Sequence, residues 1–379
     1  MPFQLTDEQV LTRDSVREFA EAEIAPIAAE IDQNHRPPLE SIGKLAEAGL
    51  LGMLIPEEYG GAGLDALSYA IAIEELSRVC ATHGVLVEAH SSLCTWAIAH
   101  HGTEDQKRKY LPDLASGEAV GAFGLTEPNA GSDASSLATT AVRDSDEFVL
   151  NGQKIFITNG GFAKTFVIMA RSTDAPGVKG ISAFIVERGR PGFEILEPER
   201  KMGIRGSSTT PLAFTGCRIP AANLLGQEGA GFKIAMQILD GGRTGIAAQA
   251  VGIAQGAFEA ACKYAKERVQ FGRPIAALQA IQWLIADMAV DIAAGRALVY
   301  RAADLESRGE PHGQAAAMAK LFCGEMATRV TGKAIQVHGG VGYTEAYPVE
   351  RAYRDAKITE IYEGTSEIQR LVIARHYLR

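Results

Sequence analysis

Apolar positions recur at helical spacing through roughly the first 115 residues, change character near Gly121, and return to helical spacing from about residue 228. Thr6 or Asp7 is placed to cap a first helix whose apolar positions include Val10, Val16, Phe19 and Ile24, with Pro26 marking a kink or break. Further helices are expected over 67–79, 84–100 and 104–115, the first of them after the turn-rich run Tyr59-Gly60-Gly61-Ala62-Gly63. In the middle segment, Phe148-Val149-Leu150, then Asn151-Gly152, then Lys154-Ile155-Phe156-Ile157-Thr158 predicts a β-hairpin, because Asn-Gly supplies the positive φ angles of a type I′ turn. Runs 165–170, 181–186 and 212–219 are short, β-rich and bounded by Gly or Pro, so 121–226 reads as all-β. Beyond it lie three long apolar-striped helices. They are punctuated at Phe271-Gly272-Arg273-Pro274, Gly309-Glu310-Pro311 and Gly339-Gly340-Val341-Gly342, which predicts an antiparallel bundle. The fold class is α+β, in three domains: 1–120 helical, 121–227 β, 228–379 helical. No internal repeat or low-complexity tract is visible.

Size and composition agree with such a chain. At 379 residues it exceeds one typical domain, and its apolar share of 46% and charged share of 22% are those of an ordinary globular protein. A net charge of −9 argues against the nucleic-acid backbone as principal partner, which requires a basic surface. The five cysteines are scattered and contain no Cys-x-x-Cys pair, which suits reduced thiols and offers no zinc or iron–sulfur framework. His100-His101 and His83/His90 are poorly spaced as ligands, so no metal is expected. No apolar span is long enough for a membrane helix, and Phe3-Gln4-Leu5-Thr6-Asp7-Glu8 begins as a helix rather than a leader, so a cytoplasmic protein is expected.

The chemistry concentrates near the C-terminus, in Ile361-Tyr362-Glu363-Gly364-Thr365. Ser366 and Gln369 have capping-box spacing for a following helix, so Glu363 is expected on a bend beside a helix N-terminus. Its apolar flanks should raise its pKa and make it a better base near neutral pH. A second candidate is the polar, glycine-bearing loop Phe123-Gly124-Leu125-Thr126-Glu127-Pro128-Asn129-Ala130-Gly131-Ser132-Asp133, able to bring backbone N–H groups against a ligand. Phe156 and Thr158 are two apart on a strand and therefore expected on one face, where a ring and a hydroxyl suit a planar heterocycle or plain packing. No Gly-x-Gly-x-x-Gly unit or P-loop is present. Gly226, Gly229 and Gly231 lack a βαβ context, which disfavours a Rossmann enzyme.

Taken in order, these motifs resemble the acyl-CoA dehydrogenase family of flavoenzymes over essentially the whole chain, the short-chain (butyryl-CoA) members most of all. Loop 125–133 resembles its flavin loop, and Lys201-Met202-Gly203-Ile204-Arg205-Gly206-Ser207-Ser208-Thr209 its β-domain signature. Gln336-Val337-His338-Gly339-Gly340-Val341-Gly342-Tyr343 and residues 354–365 are similar to its C-terminal signatures. The resemblance implies a helical domain, a β-barrel or sandwich-like domain and a four-helix-bundle domain, with FAD as cofactor. It implies Glu363 as the catalytic base. Some branches carry that glutamate on an earlier helix, where this chain has Gly242 within Leu239-Asp240-Gly241-Gly242-Arg243. Phe123, Leu125, Thr126, Gly131, Ser132, Phe156, Ile157 and Thr158 would hold the flavin, although many members carry tryptophan where this chain has Phe156. Arg268, Phe271, Gln279, Gln336, Val337, Gly339 and Gly340 would reach the adenosine diphosphate of a neighbouring subunit, with Thr365 and Glu367 as further contacts. Ser132, Asp240, Arg243, Tyr362 and Gly364 would lie near the acyl-CoA.

The implied reaction removes hydrogens across the acyl Cα–Cβ bond of a short- or medium-chain acyl-CoA, giving the trans-2-enoyl-CoA. Glu363 takes the α-proton and flavin N5 accepts the β-hydride, since no side chain can accept one. Electrons would pass to an electron-transferring flavoprotein, and a homotetramer is implied by cofactor contacts that cross subunits. An oxidase that returns electrons to oxygen, and a flavin-holding or nucleic-acid-associated relative without turnover, are the competing readings.

Overall fold

The computed structural model describes residues 4–378; Phe3, the first residue of the expected helix start, lies outside them. The N-terminal helices are α1 (Asp7–Phe19), α2 (Ala25–Asn34), α3 (Ser41–Glu47), α4 (Ala66–Val79), α5 (Ala81–Glu88), α6 (Trp96–His101) and α7 (Glu104–Ala115). Thr6 caps α1 in a full capping box with Gln9. A single π segment, Ala20–Ile24, separates α1 from α2, and Pro26 opens α2, so the expected break occurs where proline removes a donor. The expected helix 84–100 is interrupted in its middle by a second π segment, Ala89–Thr95, which begins directly after Glu88.

The central strands are β1 (Gly121–Gly124), β2 (Thr140–Asp144), β3 (Glu147–Thr158), β4 (Thr165–Arg171), β5 (Ile181–Glu187), β6 (Phe193–Ile195), β7 (Thr209–Pro220) and β8 (Leu224–Leu225). They form one sheet in the order β6-β7-β3-β2-β4-β5-β8, with β1 parallel to β4. Strand β4 is apolar from Phe166 to Ala170 because it is covered on both sides. Phe166, Ile168 and Ala170 enter a core with Phe148, Phe184 and Phe214. Val167 and Met169 face a second core shared with Leu93, Leu111 and Ile234.

The expected hairpin at Asn151-Gly152 does not form. Strand β3 runs straight through it, pairing with β7 on both sides of a bulge between Leu150 and Gly152. Gly152 (φ 143°) lies so close to Thr139 that a Cβ would sit 2.6 Å from its Oγ1, and Asn151 Oδ1 accepts from Gly216 N–H at 2.8 Å. The turn falls instead at Ser145-Asp146, with Ser145 at φ 58° and Asp144 opposite Glu147. Asn-Gly here serves a bulge, which uses the same glycine freedom as a turn.

After the sheet come α8 (Gly231–Glu267), a small hairpin of β9 (Val269–Gln270) and β10 (Arg273–Pro274), α9 (Gln279–Ser307), α10 (Gly313–His338), α11 (Val349–Ala356) and α12 (Ser366–Tyr377). Helices α8, α9 and α10 pack together, with α4 against α8 and α12 against α10. Residues 201–208 thread between the helical layers. Gly203 lies where a Cβ would meet Arg354 O at 2.3 Å, and Gly206 where one would meet Ile31 at 2.2 Å. Asp355 Oδ1 accepts from Ile204 N–H, while Arg354 bridges Asp32 and donates to Met202 O at 3.2 Å. Among the described residues no helix is long and apolar enough to cross a membrane.

Candidate active site

Glu363 occupies the turn before α12 with a left-handed backbone, φ 53°, followed by Gly364 at φ 97°. Gly364 adopts this freely; for a glutamate it costs about 1–3 kcal/mol and persists only where neighbours enforce it. The enforcing groups are visible. Lys320 Nζ, from α10, donates to Gly364 O at 2.6 Å, and Gln369 Nε2 donates to the same oxygen at 2.8 Å and to Glu363 O at 3.3 Å. The cap of α12 is Thr365, whose Oγ1 accepts from Ile368 N–H at 3.4 Å, rather than Ser366. Gln369 thus braces the bend instead of completing a capping box.

The Glu363 residue is half-buried, yet its Oε2 atom is out of solvent and without a hydrogen-bond partner in the structure. Burial pushes its pKa up to about 7; a hydrogen bond with Glu88 and the charges of Lys320 and Arg243 limit the rise. Facing it on α8 is Gly242, where a Cβ would come within 2.2 Å of Oε2.

Glu88, at the end of α5, is fully buried beside this carboxyl. Burial, then the Glu363 charge, raises its pKa well above the carboxylate range. Two ionised carboxylates cannot hydrogen-bond each other, so a bond between this pair requires a shared proton. Ser92 Oγ donates to Glu88 Oε1, and Gly245 leaves room for the Glu88 stem and for the buried, unpartnered Tyr69 hydroxyl. Tyr362 donates its hydroxyl to Gln249, so that group is committed within the protein. On α8, Arg243 is buried and paired with Asp240.

The second half of the site lies on the sheet. Ile155 N–H donates to Thr126 O at 2.9 Å, which lays the 125–133 loop along β3. The expected shared face of Phe156 and Thr158 is not a regular pleat. The β3–β7 register shifts between Lys154 and Ile157, and Phe156 takes φ 59°. The bulge turns Phe156 out to 59% exposure, while Thr158 is half-buried and Ile157 lies in the core between them. Phe123 and Leu125 are likewise core residues, so Ile157, Phe123 and Leu125 can offer a ligand mainly backbone; Gly131 and Ser132 are exposed.

Comparison with known proteins decides what this arrangement belongs to. Family models described as the N-terminal, middle and C-terminal domains of acyl-CoA dehydrogenase match residues 6–118, 122–217 and 229–378. The chain is 57% identical to the short-chain specific acyl-CoA dehydrogenase of Clostridium acetobutylicum over 379 residues, covering 100% of both. It is 54% identical to acryloyl-CoA reductase (NADH) of Anaerotignum propionicum, over 100% of this chain and 96% of that protein. Butyryl-CoA dehydrogenase from Megasphaera elsdenii superposes with a TM-score of 0.98 at 47% identity, covering 100% of each chain. A chain solved in work on the electron transferring flavoprotein of Acidaminococcus fermentans and flavin-based electron bifurcation superposes with a TM-score of 0.99 at 54% identity, again over 100% of each.

The chain belongs to the acyl-CoA dehydrogenase family.

Acyl-CoA dehydrogenases are FAD flavoproteins, and FAD is the cofactor here. The residues present fit such a group. An exposed aromatic ring stands on a strained bulge beside the half-buried Thr126 and Thr158, and an orphaned carboxylate oxygen at Glu363 lacks a partner. A further set, Arg268, Phe271, Gln279, Gln336, Gly339 and Gly340, lies exposed at the ends of α8, α9 and α10. Phe271 sits in the β9–β10 turn at φ 52° and is 88% exposed. Val337 is the exception, buried with only its backbone to offer. Thr365 is half-buried as the α12 cap and Glu367 exposed in its first turn. Sequence reasoning missed Glu88 and Lys320 in this acyl-CoA dehydrogenase. Glu88 is the lone charged residue of the mostly apolar α5, and that mismatch is its signal in the sequence; Lys320 shares α10 with Glu325, Arg329 and Lys333 and carries no such mark.

Proposed function

We propose that this chain dehydrogenates short-chain acyl-CoA thioesters between Cα and Cβ to trans-2-enoyl-CoA, with Glu363 as the base that removes the α-proton. The carrying observation is the Glu363 carboxyl itself, dry, unpartnered at Oε2 and pushed up to about 7, near the pH at which a general base works best. Lys320 and Gln369 hold its backbone, Gly242 leaves it space, and the buried Glu88 carboxyl, whose pKa burial raises, stands beside it. FAD supplies the hydride acceptor at Cβ, which no side chain can. In this reading residues 123–132 and 156–158 hold the ring. Arg268, Phe271, Gln279, residues 336–340, Thr365 and Glu367 serve the adenosine diphosphate end across subunits of a homotetramer. Ser132, Asp240, Arg243, Tyr362 and Gly364 line the acyl-CoA path. The short-chain preference follows the relatives named above, and an electron-transferring flavoprotein in the cytoplasm is the acceptor this reading assigns.

Anaerobic addition of butyryl-CoA should bleach the bound flavin, and C4 to C16 and branched thioesters will rank the preference. If no saturated acyl-CoA bleaches it, the reading falls. Oxygen uptake without another acceptor would favour an oxidase. The acryloyl-CoA reductase relative supports one second reading, turnover in the reverse direction with the same residues. Reoxidation of the reduced enzyme by a 2-enoyl-CoA, faster than its reduction by the saturated partner, would establish it.

A further inference from the structure

The 125–133 loop is fastened by a buried ion pair that no step above uses. Lys154, on β3, is 0% exposed and Glu127 is 6% exposed. Lys154 Nζ donates to Glu127 Oε1 at 2.6 Å and to Leu125 O at 3.1 Å. The Glu127 carboxylate also accepts from Ala138 N–H at 2.6 Å and Thr139 N–H at 3.0 Å. One ammonium and one carboxylate thereby join the start of the loop, the stretch that leads into β2, and the middle of β3. Glu127 and Ala130 exchange two backbone hydrogen bonds at 3.1 Å inside it. Thr126 is held from both sides, one residue away from the Phe156 bulge across the Ile155 bond.

A buried ion pair is a weak source of stability, because desolvating two charges offsets most of their attraction. Apolar residues of similar volume would fill the same space. What they could not do is reach three backbone groups at once. We propose that Glu127 and Lys154 are positioning residues for FAD, holding residues 125–132 against the Phe156 bulge in the shape that receives the ring. This rests on reading that loop as the flavin holder. Their effect is therefore on cofactor affinity more than on the fold.

The test compares the full wild-type chain with Lys154→Arg, Lys154→Met and the double variant Glu127→Gln/Lys154→Met, which leaves no unpaired buried charge should Lys154→Met not fold. Each is stripped of FAD and titrated with it by flavin fluorescence, and the melting midpoint of the stripped chain is recorded. Loss of charged hydrogen bonds predicts roughly tenfold or greater weakening of FAD binding in the double variant. Blurred vibrational structure in the bound-flavin spectrum and a stripped-chain midpoint close to wild type should accompany it. Lys154→Arg should recover part of the affinity. If the folded double variant binds FAD as tightly as wild type, the positioning role is wrong and the flavin reading stands. If affinity falls only in step with the melting midpoint, the pair is merely structural. A wild-type chain that takes up no FAD at all would sink the flavin reading itself.

Discussion

A Cβ placed on Gly242 would stand 2.2 Å from Oε2 of Glu363, so two distant stretches of sequence converge on one carboxylate position. One side of that position is a turn held by α10 and α12, the other the first third of α8. A carboxyl from either side should serve.

Glu363→Gly should therefore abolish turnover, and adding Gly242→Glu to it should recover activity. Loss of a general base costs about 10²–10⁴ in kcat. We expect the double variant to regain at least about tenfold over Glu363→Gly, read as the rate of flavin bleaching by butyryl-CoA. No recovery in a folded, yellow double variant would show that the two positions are not equivalent. Glu363→Gln alone should stay yellow and lose the same factor.

The buried carboxyl also sets a pH dependence. Burial raises the Glu363 pKa to about 7, so kcat/KM should rise with pH through that region. For stability the sign runs the other way. A carboxyl whose folded pKa lies above its unfolded value near 4.5 favours the fold while protonated, and that contribution is lost as pH rises from about 4.5 through 7. Glu363→Gln should therefore melt above wild type at pH 8, by about 2–5 °C, with the gap closing towards pH 4.5. Equal melting curves at pH 8 would contradict the burial of this charge.

A Glu88 carboxyl can donate to Glu363 only while it keeps its proton, which makes the pair testable by substitution. Glu88→Gln retains a donor and should leave the pH limb near 7, whereas Glu88→Leu removes it and should move the limb upward, because that hydrogen bond lowers the Glu363 pKa. The kcat/KM pH profiles of the two variants decide it; superimposable limbs would remove Glu88 from the site.

Gly152 offers a contrast, since it touches neither the Glu363 carboxyl nor the Phe156 bulge. Its φ of 143°, and the 2.7 Å that would separate an alanine Cβ from Thr139 Cα, make a side chain there both strained and sterically opposed. Gly152→Ala should destabilise the chain by about 2 kcal/mol or more, with kcat per bound flavin unchanged. Denaturant midpoints and turnover measured together will separate the two.

The broad order of elements was legible because long apolar stripes and short β-branched runs report burial directly. Strand β4 and helix α8 are read from their own residues. Asn151-Gly152 misled because positive φ is needed by bulges and turns alike, and only Thr139, a dozen residues away, decides between them. The Phe156 bulge escaped for a similar reason: a register shift is a property of the β3–β7 pair. Glu363 was visible as a carboxylate among apolar neighbours and a glycine. Glu88 and Lys320 were not, because what makes them interesting is proximity to residue 363 across three helices.

The seam at residues 201–208 has its own implication. With the Gly203 backbone pressed on Arg354 and the Ile204 amide taken by Asp355, the segment leading into β7 is fastened to α11 there. A side chain at position 203 would have to prise that joint apart, so the fit of sheet to helices depends there on the absence of a single methyl group.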